Sequence, residues 1–244
     1  MRIISWNCNM AFRKKYHAIM ELKPDVLVLQ ECENKDKLIK ILEVTNANCC
    51  YWHGNNPHKG IAVLAFNGVQ VKLIKNHNLE FEYILPLKVS FGNVKFNLFN
   101  IWAMPHLTSN AQSYVGQIWY ALPHYEKLLK SPSILIGDFN SNAIWDKSRR
   151  MGNHSHVVSK LSEYKIQSLY HDLYLMEHGK EANPTFYLYK NINKPYHMDY
   201  CFASKKLLNP NTSLEIGGHE IWSKLSDHMP LIIDHIGPEI SINP

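Results

Sequence analysis

An α/β fold whose sheets mix parallel and antiparallel strands is predicted by three features of the sequence. Short continuous apolar runs, such as Ile134-Leu135-Ile136, recur along the chain and have the character of strands buried on both faces. The first two of them are separated by a helical pattern, which makes a parallel βα unit. Between residues 60 and 101 several runs follow one another without an intervening helix, which requires antiparallel pairing.

In order, residues 2–6 read as a first strand, ending at Asn7-Cys8-Asn9. Tyr16, Ile19, Met20 and Leu22 have the three-and-four spacing of an amphipathic helix, and Pro24-Asp25 stops it. Residues 26–29 form the second strand, terminating in Gln30-Glu31, so Asn7 and Glu31 come to corresponding strand ends. A helix is predicted over 35–44, a loop over 51–57 and a strong strand over 60–66. Asn67-Gly68 is a hairpin signal between that strand and one over 69–74. Strands near 81–89 and 94–101 precede a long helix over 112–130 that Pro123 should kink or divide. After residue 142 the pattern loosens to a helix over 157–164 and strands at 184–186, 198–203 and 231–234.

The chain has 244 residues, 45% apolar and 19% charged, which is ordinary globular composition. Helices and strands occur in both halves without a low-complexity linker or a repeat, so residues 1–244 are predicted to form one domain. Lysine plus arginine exceed aspartate plus glutamate, 26 against 21, giving a net charge of +5. That excess is compatible with a phosphate-rich partner but does not require one. Five cysteines without a C-x-x-C pair point to neither a disulfide framework nor a zinc-binding thiol cluster. The opening apolar stretch is too short for a secretory signal, and no run of 18 apolar residues occurs. The expectation is a soluble, cytoplasmic protein with no membrane contact, and nothing in the sequence points to a protein partner.

Polar groups capable of chemistry collect at predicted strand ends: Asn7, Glu31, Asp138 with Asn140, Asp199, and Asp227 with His228. In Ser133–Asn142, SILIGDFNSN, positions two apart share a face of an extended backbone. Asp138 and Asn140 therefore point one way and Phe139 points back to the core. Gly, Asp, Asn and Ser are also common turn formers, so this stretch alone does not separate a site from a turn. Asp199 lies inside an apolar strand between Met198 and Tyr200, and a buried carboxylate needs a partner.

The pieces WNCN, LQECE, HGNNPHKGIAVL, ILIGDFNSN, HMDYCFAS and SDHMPLII resemble, in order and spacing, the motifs of the endonuclease/exonuclease/phosphatase superfamily. The resemblance spans Trp6 to Ile233. It implies a four-layer α/β sandwich, two mixed β-sheets face to face with helices outside. It also implies a catalytic Mg²⁺ (with Mn²⁺ as a substitute) held mainly by Glu31, with Asn7 and Asp227 contributing to the metal shell. Asp138 resembles the residue that orients and deprotonates the attacking water, and Asn140, like Asn7, a phosphate or water contact. His228 resembles the catalytic histidine, with Asp199 as its orienting partner.

One position departs from the pattern. Where abasic-site endonucleases carry tyrosine, and deoxyribonucleases and sphingomyelinases histidine, this chain has Trp102. An indole N–H donates a hydrogen bond but gives up no proton, so Trp102 is suited to binding phosphate and not to protonating a leaving group. His106 offers a titratable substitute. Arg13-Lys14-Lys15 and Lys147-Ser148-Arg149-Arg150 flank the predicted catalytic edge, and Arg149 is a candidate for the substrate backbone. Trp145, Tyr187 and Tyr189 are candidate stacking surfaces, although core packing is the commoner fate of aromatics. His154-Ser155-His156 has the form of an H-x-H metal pair, but no further ligand follows at fixed spacing, and it reads as a polar turn. The expected activity is hydrolysis of phosphodiester bonds, with DNA as the expected substrate. The alternative is a small phosphate ester or phospholipid headgroup.

Overall fold

The computed structural model describes residues 1–75, 77–105 and 109–237, so His106 lies outside the described residues. The first part of the chain runs β1 (Ile3–Asn7), α1 (Tyr16–Met20), β2 (Val26–Cys32), α2 (Lys35–Val44), β3 (Cys49–Asn56), β4 (Lys59–Ala65), β5 (Gln70–Leu73), β6 (Ile84–Phe91) and β7 (Val94–Trp102). It continues through α3 (Val115–His124), α4 (Glu126–Leu129), β8 (Ser133–Asp138), α5 (His154–Glu163), β9 (Ile166–Ser168) and α6 (Leu169–Tyr174). The last part comprises β10 (Phe186–Tyr187), β11 (Pro195–Tyr196), β12 (Asp199–Ser204), β13 (Ser213–Ile216), α7 (His219–Trp222) and β14 (Leu231–Asp234).

Two six-stranded sheets result, in the orders β13-β14-β1-β2-β4-β3 and β5-β6-β7-β8-β12-β9. Each contains one parallel pair, β1 with β2 and β7 with β8, among antiparallel neighbours. The period-two rule explains the layering. Ile3, Val26, Val28, Ile61 and Val63 of the first sheet meet Leu87, Leu98, Ile134 and Ile136 of the second in one buried core. The alternate residues of the first sheet, Ile4, Trp6, Leu27 and Leu64, face outward onto Phe12, Ile19, Leu38 and Trp222. Those of the second, Phe99, Leu135, Tyr200 and Phe202, meet Ile118, Leu122 and Leu161 of the outer helices. Helix, sheet, sheet and helix are thus the four layers. Each fully buried aliphatic side chain stabilises by roughly 1.5–3 kcal/mol.

A polar bridge joins the sheets near the site. Gln30 donates to the Asn100 side-chain oxygen at 2.8 Å, and Asn100 donates to the carbonyls of Leu29 and Ala62 at 3.0 and 2.9 Å. Gly137 permits this approach: a Cβ there would lie 2.1 Å from the Ile101 carbonyl and 2.8 Å from Gln30, and its φ is +137°.

Three local expectations change and one holds. Residues 51–57, expected as loop, lie largely in β3, an edge strand paired to β4, where half-buried His53 and exposed Asn55 and Asn56 are tolerated. The Asn67-Gly68 turn has positive φ at both residues, as its chemistry demands, but it joins no hairpin. β4 pairs with β2 and β3 while β5 pairs with β6, so the turn passes the chain from one sheet to the other. The helix expected over 112–130 does divide, as Pro123 led one to expect, at Tyr125 into α3 and α4. His154 and His156 are not in a turn but open α5, where Asn153 and His156 form a reciprocal cap.

Candidate active site

Asn7 ends β1, Glu31 lies in β2, Asp138 ends β8, Asp199 opens β12 and His228 precedes β14, and the pairing brings them to one edge. Asp199 and Asp138 are direct register partners, and Trp102 is the partner of Asp138 on its other side. Glu31 has a left-handed backbone, φ +56°, at a register shift between Leu29 and Cys32. That bulge re-aims the carboxylate, as bulges beside functional sites do.

Asn7 is the hub. Its amide nitrogen donates to Asp138 Oδ2 at 3.0 Å and Glu31 Oε1 at 3.3 Å, and His228 Nε2 lies 3.5 Å away. Its oxygen accepts from the Asn9 N–H at 3.1 Å. Asn140, itself left-handed at φ +45°, clamps Asp138: its backbone N–H donates to Oδ1 at 2.8 Å and its side chain to Oδ2 at 3.0 Å. The same side chain ties the loop to the Ala103 carbonyl at 2.9 Å, and Phe139 is buried in the core.

His228 Nδ1 lies 2.9 Å from Asp199 Oδ2, and its Nε2 faces Asp138 Oδ2 at 3.9 Å. The rest of the residue is pinned. Its N–H donates to Ser226 Oγ, which donates to the Asn7 carbonyl, and the Trp6 indole donates to the His228 carbonyl. Phe186 covers the ring at 4.6 Å between centroids. Thr185 Oγ1 accepts from the N–H groups of Met198 and Asp199, fixing the carboxylate's strand.

These contacts set the charges. Burial alone would hold His228 neutral, but the carboxylates of Asp199 and Asp138 outweigh it and push the imidazole up to about 10. At neutral pH the ring is an imidazolium. Burial pushes the Asp138 carboxyl up to about 7; the His228 charge opposes that rise and the Asp199 charge adds to it. A buried base near neutrality therefore stands next to a buried cation.

Glu31 is the least enclosed member, its side chain 17% exposed, and Lys59 Nζ sits 3.2 Å from its Oε2. The same ammonium lies 4.9 Å above the buried Trp102 ring, which packs edge-on against Tyr83. A partly exposed carboxylate with an amide beside it fits Mg²⁺, which keeps most of its waters and takes few protein oxygens. Asp227, next to His228, is held instead by the Asn9 side chain at 2.9 Å. Among the described residues the tight carboxylate–imidazole grouping at this edge is Asp138, Asp199 and His228, without Glu31 or Asp227.

The basic flanks are partly structural. Arg13 pairs with buried Glu33 at 2.6 Å, Lys15 donates to the carbonyls of Cys8, Asn9 and Leu225, and Arg150 donates to the Ser113 carbonyl. Arg149 is exposed, as are Trp145 and Tyr189, whereas Tyr187 is buried against His219. Residues not singled out from sequence complete the pocket. Lys59 stands inside the HGNNPHKG motif, Ser226 opens SDH, and Thr185 and Phe186 follow Pro184. A positive charge in a motif otherwise made of neutral residues was the signal for Lys59.

Two mixed sheets under outer helices, with a carboxylate–imidazole pocket at the strand ends, define a hydrolytic phosphoesterase. The chain belongs to the Endonuclease/Exonuclease/phosphatase family, which it matches over residues 4–228. Its fold is similar to that of the 3′ phosphatase NExo from Neisseria bound to product DNA hairpin, at 16% identity and a TM-score of 0.68, covering 96% of this chain and 99% of that one. It is equally similar to an AP endonuclease from Archaeoglobus fulgidus, at 16% identity, 96% and 99% coverage and a TM-score of 0.68. Truncated Caenorhabditis elegans TDP2 is 18% identical, with 95% of each chain covered and a TM-score of 0.63. No curated protein sequence matches the chain. Among the described residues no helix is long and apolar enough to cross a membrane.

Proposed function

We propose that this protein is a Mg²⁺-dependent phosphodiesterase acting on DNA, as an endonuclease or exonuclease. The observation that carries the reading is the convergence at one strand edge of the Asp199–His228 pair with Asp138 and Glu31, both of which accept from the Asn7 amide. Asp138 takes the proton of the water that attacks phosphorus, a role suited to a carboxylate titrating near 7. The new bond joins that water oxygen to phosphorus as the bond to the leaving oxygen breaks, and the leaving oxygen takes its proton from solvent. The His228 imidazolium donates from Nε2 to a non-bridging phosphate oxygen, and Asp199 keeps it charged and oriented. Asn7 and Asn140 hold Asp138 in place and line the phosphate site. Glu31, with the Asn7 amide beside it, would hold Mg²⁺ or Mn²⁺, which when bound supplies positive charge to phosphate oxygens, and Asp227, held by Asn9, would contribute through the outer shell. Trp102 forms the wall behind Lys59 and transfers no proton.

DNA as substrate is supported by the net charge of +5, by exposed Arg149 and Trp145 on the segment that follows β8 and exposed Tyr189 after β10, and by the DNA-processing neighbours in fold. Cleavage of plasmid, abasic duplex and single-stranded DNA with Mg²⁺, against an EDTA control, is the test. Metal-dependent cleavage of at least one form is expected. Failure on all of them, with phosphate release from small phosphorylated compounds, would replace DNA by a small ester. Arg149→Ala should weaken DNA binding uniformly across sequences and lower the salt-dependence slope by about one.

A further inference from the structure

The candidate active site holds a second cation that the steps above leave without a part. Asp138 ends β8, the strand between β7 and β12. On the β12 side its register partner is Asp199, which carries the His228 imidazolium. On the β7 side its partner is Trp102, and the Lys59 ammonium stands 4.9 Å from the centroid of that ring. Asp138 is therefore bracketed by two positive side chains, one against each neighbouring strand.

Local structure aims Lys59 at this place. It opens β4 directly after a turn in which the His58 N–H donates to the Asn56 side chain at 2.9 Å. The next residue, Gly60, is the register partner of Cys32, beside the bulge that turns Glu31. Gly60 has no room for a side chain, since a Cβ would lie 2.5 Å from the His53 carbonyl and 2.6 Å from the Trp52 ring. The Trp52 indole in turn donates to the Cys32 carbonyl at 3.0 Å. The start of β4 is thus locked between β2 and β3, and the Lys59 stem leaves from a fixed point. The contacts of the ammonium leave it able to take an anion. Its ion-pair partner among the described residues is Glu31, whose Oε2 lies 3.2 Å away. An ammonium has three N–H donors, of which one carboxylate oxygen occupies one. The ring face of Trp102 attracts the charge without using a donor. The side chain is 33% exposed, so a ligand at the strand edge reaches it from solvent.

Resting on the phosphoesterase reading above, we propose that Lys59 is a phosphate-binding residue of this site, its ammonium donating to one non-bridging oxygen while His228 holds the other. Two cations on opposite sides of Asp138 place phosphorus in front of the carboxylate that activates the water. Both interactions strengthen as negative charge grows on the phosphate oxygens, which is where fixed charge accelerates a reaction. Lys59 makes and breaks no covalent bond; it supplies charge and orientation. A lysine that only neutralised Glu31 would act on metal affinity instead, and that difference is measurable.

The test compares the wild type with Lys59→Met, which keeps the stem and removes the charge, and with Lys59→Arg, which restores it. Inorganic phosphate is titrated into each chain by calorimetry in the presence of Mg²⁺, and Mn²⁺ binding without phosphate is followed by electron paramagnetic resonance. Lys59→Met is expected to bind phosphate at least about tenfold more weakly and Mn²⁺ no more weakly than the wild type. On cleaved DNA at saturating Mg²⁺ its kcat should fall about a hundredfold, and Lys59→Arg should recover most of that loss. A wild-type chain that binds no phosphate, equal phosphate affinity in wild type and Lys59→Met, or a loss of kcat that excess Mg²⁺ restores, overturns the proposal. Should Lys59→Met not fold, Lys59→Gln is judged by the same outcomes. Phosphate binding that needs Lys59, without cleavage of any ester, would sink the hydrolase reading and leave the Lys59 site standing. Cleavage that Lys59→Met leaves unchanged would do the reverse.

Discussion

His228 and His154 are both buried, at 5% and 1% exposed, yet the first is held protonated and the second neutral. The difference lies in the carboxylates each ring meets. His228 faces the oxygens of Asp199 at 2.9 Å and of Asp138 at 3.9 Å, and these two outweigh its burial. Around His154, Asp146 spends its oxygens capping α5, on the N–H groups of His154 and Ser155. Glu181 is shared with His171, and the neighbouring imidazoles of His171 and His197 add to the effect of burial. Burial is common to both places. What selects acid–base chemistry over neutral donors is how many carboxylate oxygens remain free for each imidazole.

The largest effect that would break this contrast is on catalysis. His228→Ala is expected to lower kcat/KM about a thousandfold on whichever DNA form the wild type cleaves. An equal loss in a folded His154→Ala chain would erase the distinction between the two clusters. Asp199→Asn is the next test, because it keeps a hydrogen-bonding partner for Nδ1 while removing one charge. The proposed mechanism needs Asp138 ionised and His228 protonated, so activity should fall as pH drops below about 7 and again as pH rises through about 10. These limbs belong to the coupled pair. In Asp199→Asn the alkaline limb should move down toward the ordinary histidine range, with about a hundredfold loss at high pH. A pH–rate profile with an unmoved alkaline limb would refute the assignment.

The smallest effect concerns stability. His154 and His178 titrate in the fold at about 4 and about 3, below the ordinary 6.5. The unfolded chain therefore binds more protons on acidification. The stabilisation is fully present above pH 6.5 and is lost as pH falls toward 4. Each histidine contributes a slope of up to about 1.4 kcal/mol per pH unit, less for partly exposed His178. Urea titrations across that range should show the loss, and a His154→Phe/His178→Phe chain should flatten it.

The strand ends were legible because their signals are local. Ile134-Leu135-Ile136 followed by Asp138 and Asn140 encodes both a buried strand and a face, and Asp199 inside an apolar run demands a partner. What the residues alone do not carry is long-range pairing. Asn67-Gly68 has the right turn chemistry, but nothing nearby records that the strands on either side enter different sheets. The bulge that turns Glu31 arises from pairing with β4, and the histidines that join His154 come from α6 and beyond. Lys15 reads as a surface charge until the carbonyls of Cys8, Asn9 and Leu225 are seen around it.

The place of β1 has a consequence for how the protein is made. It pairs on one side with β2 and on the other with β14, where Ile3 meets Ile233, and Arg2 is bound to Asp234. A central strand that waits for a partner more than two hundred residues later gives the first sheet very high contact order. During synthesis that edge stays open until the last strands leave the ribosome. His228 arrives on the same late segment, so the nascent chain holds Asn7, Glu31 and Asp138 long before it acquires its buried cation. If His228 acts as proposed, hydrolysis awaits the closing of the first sheet.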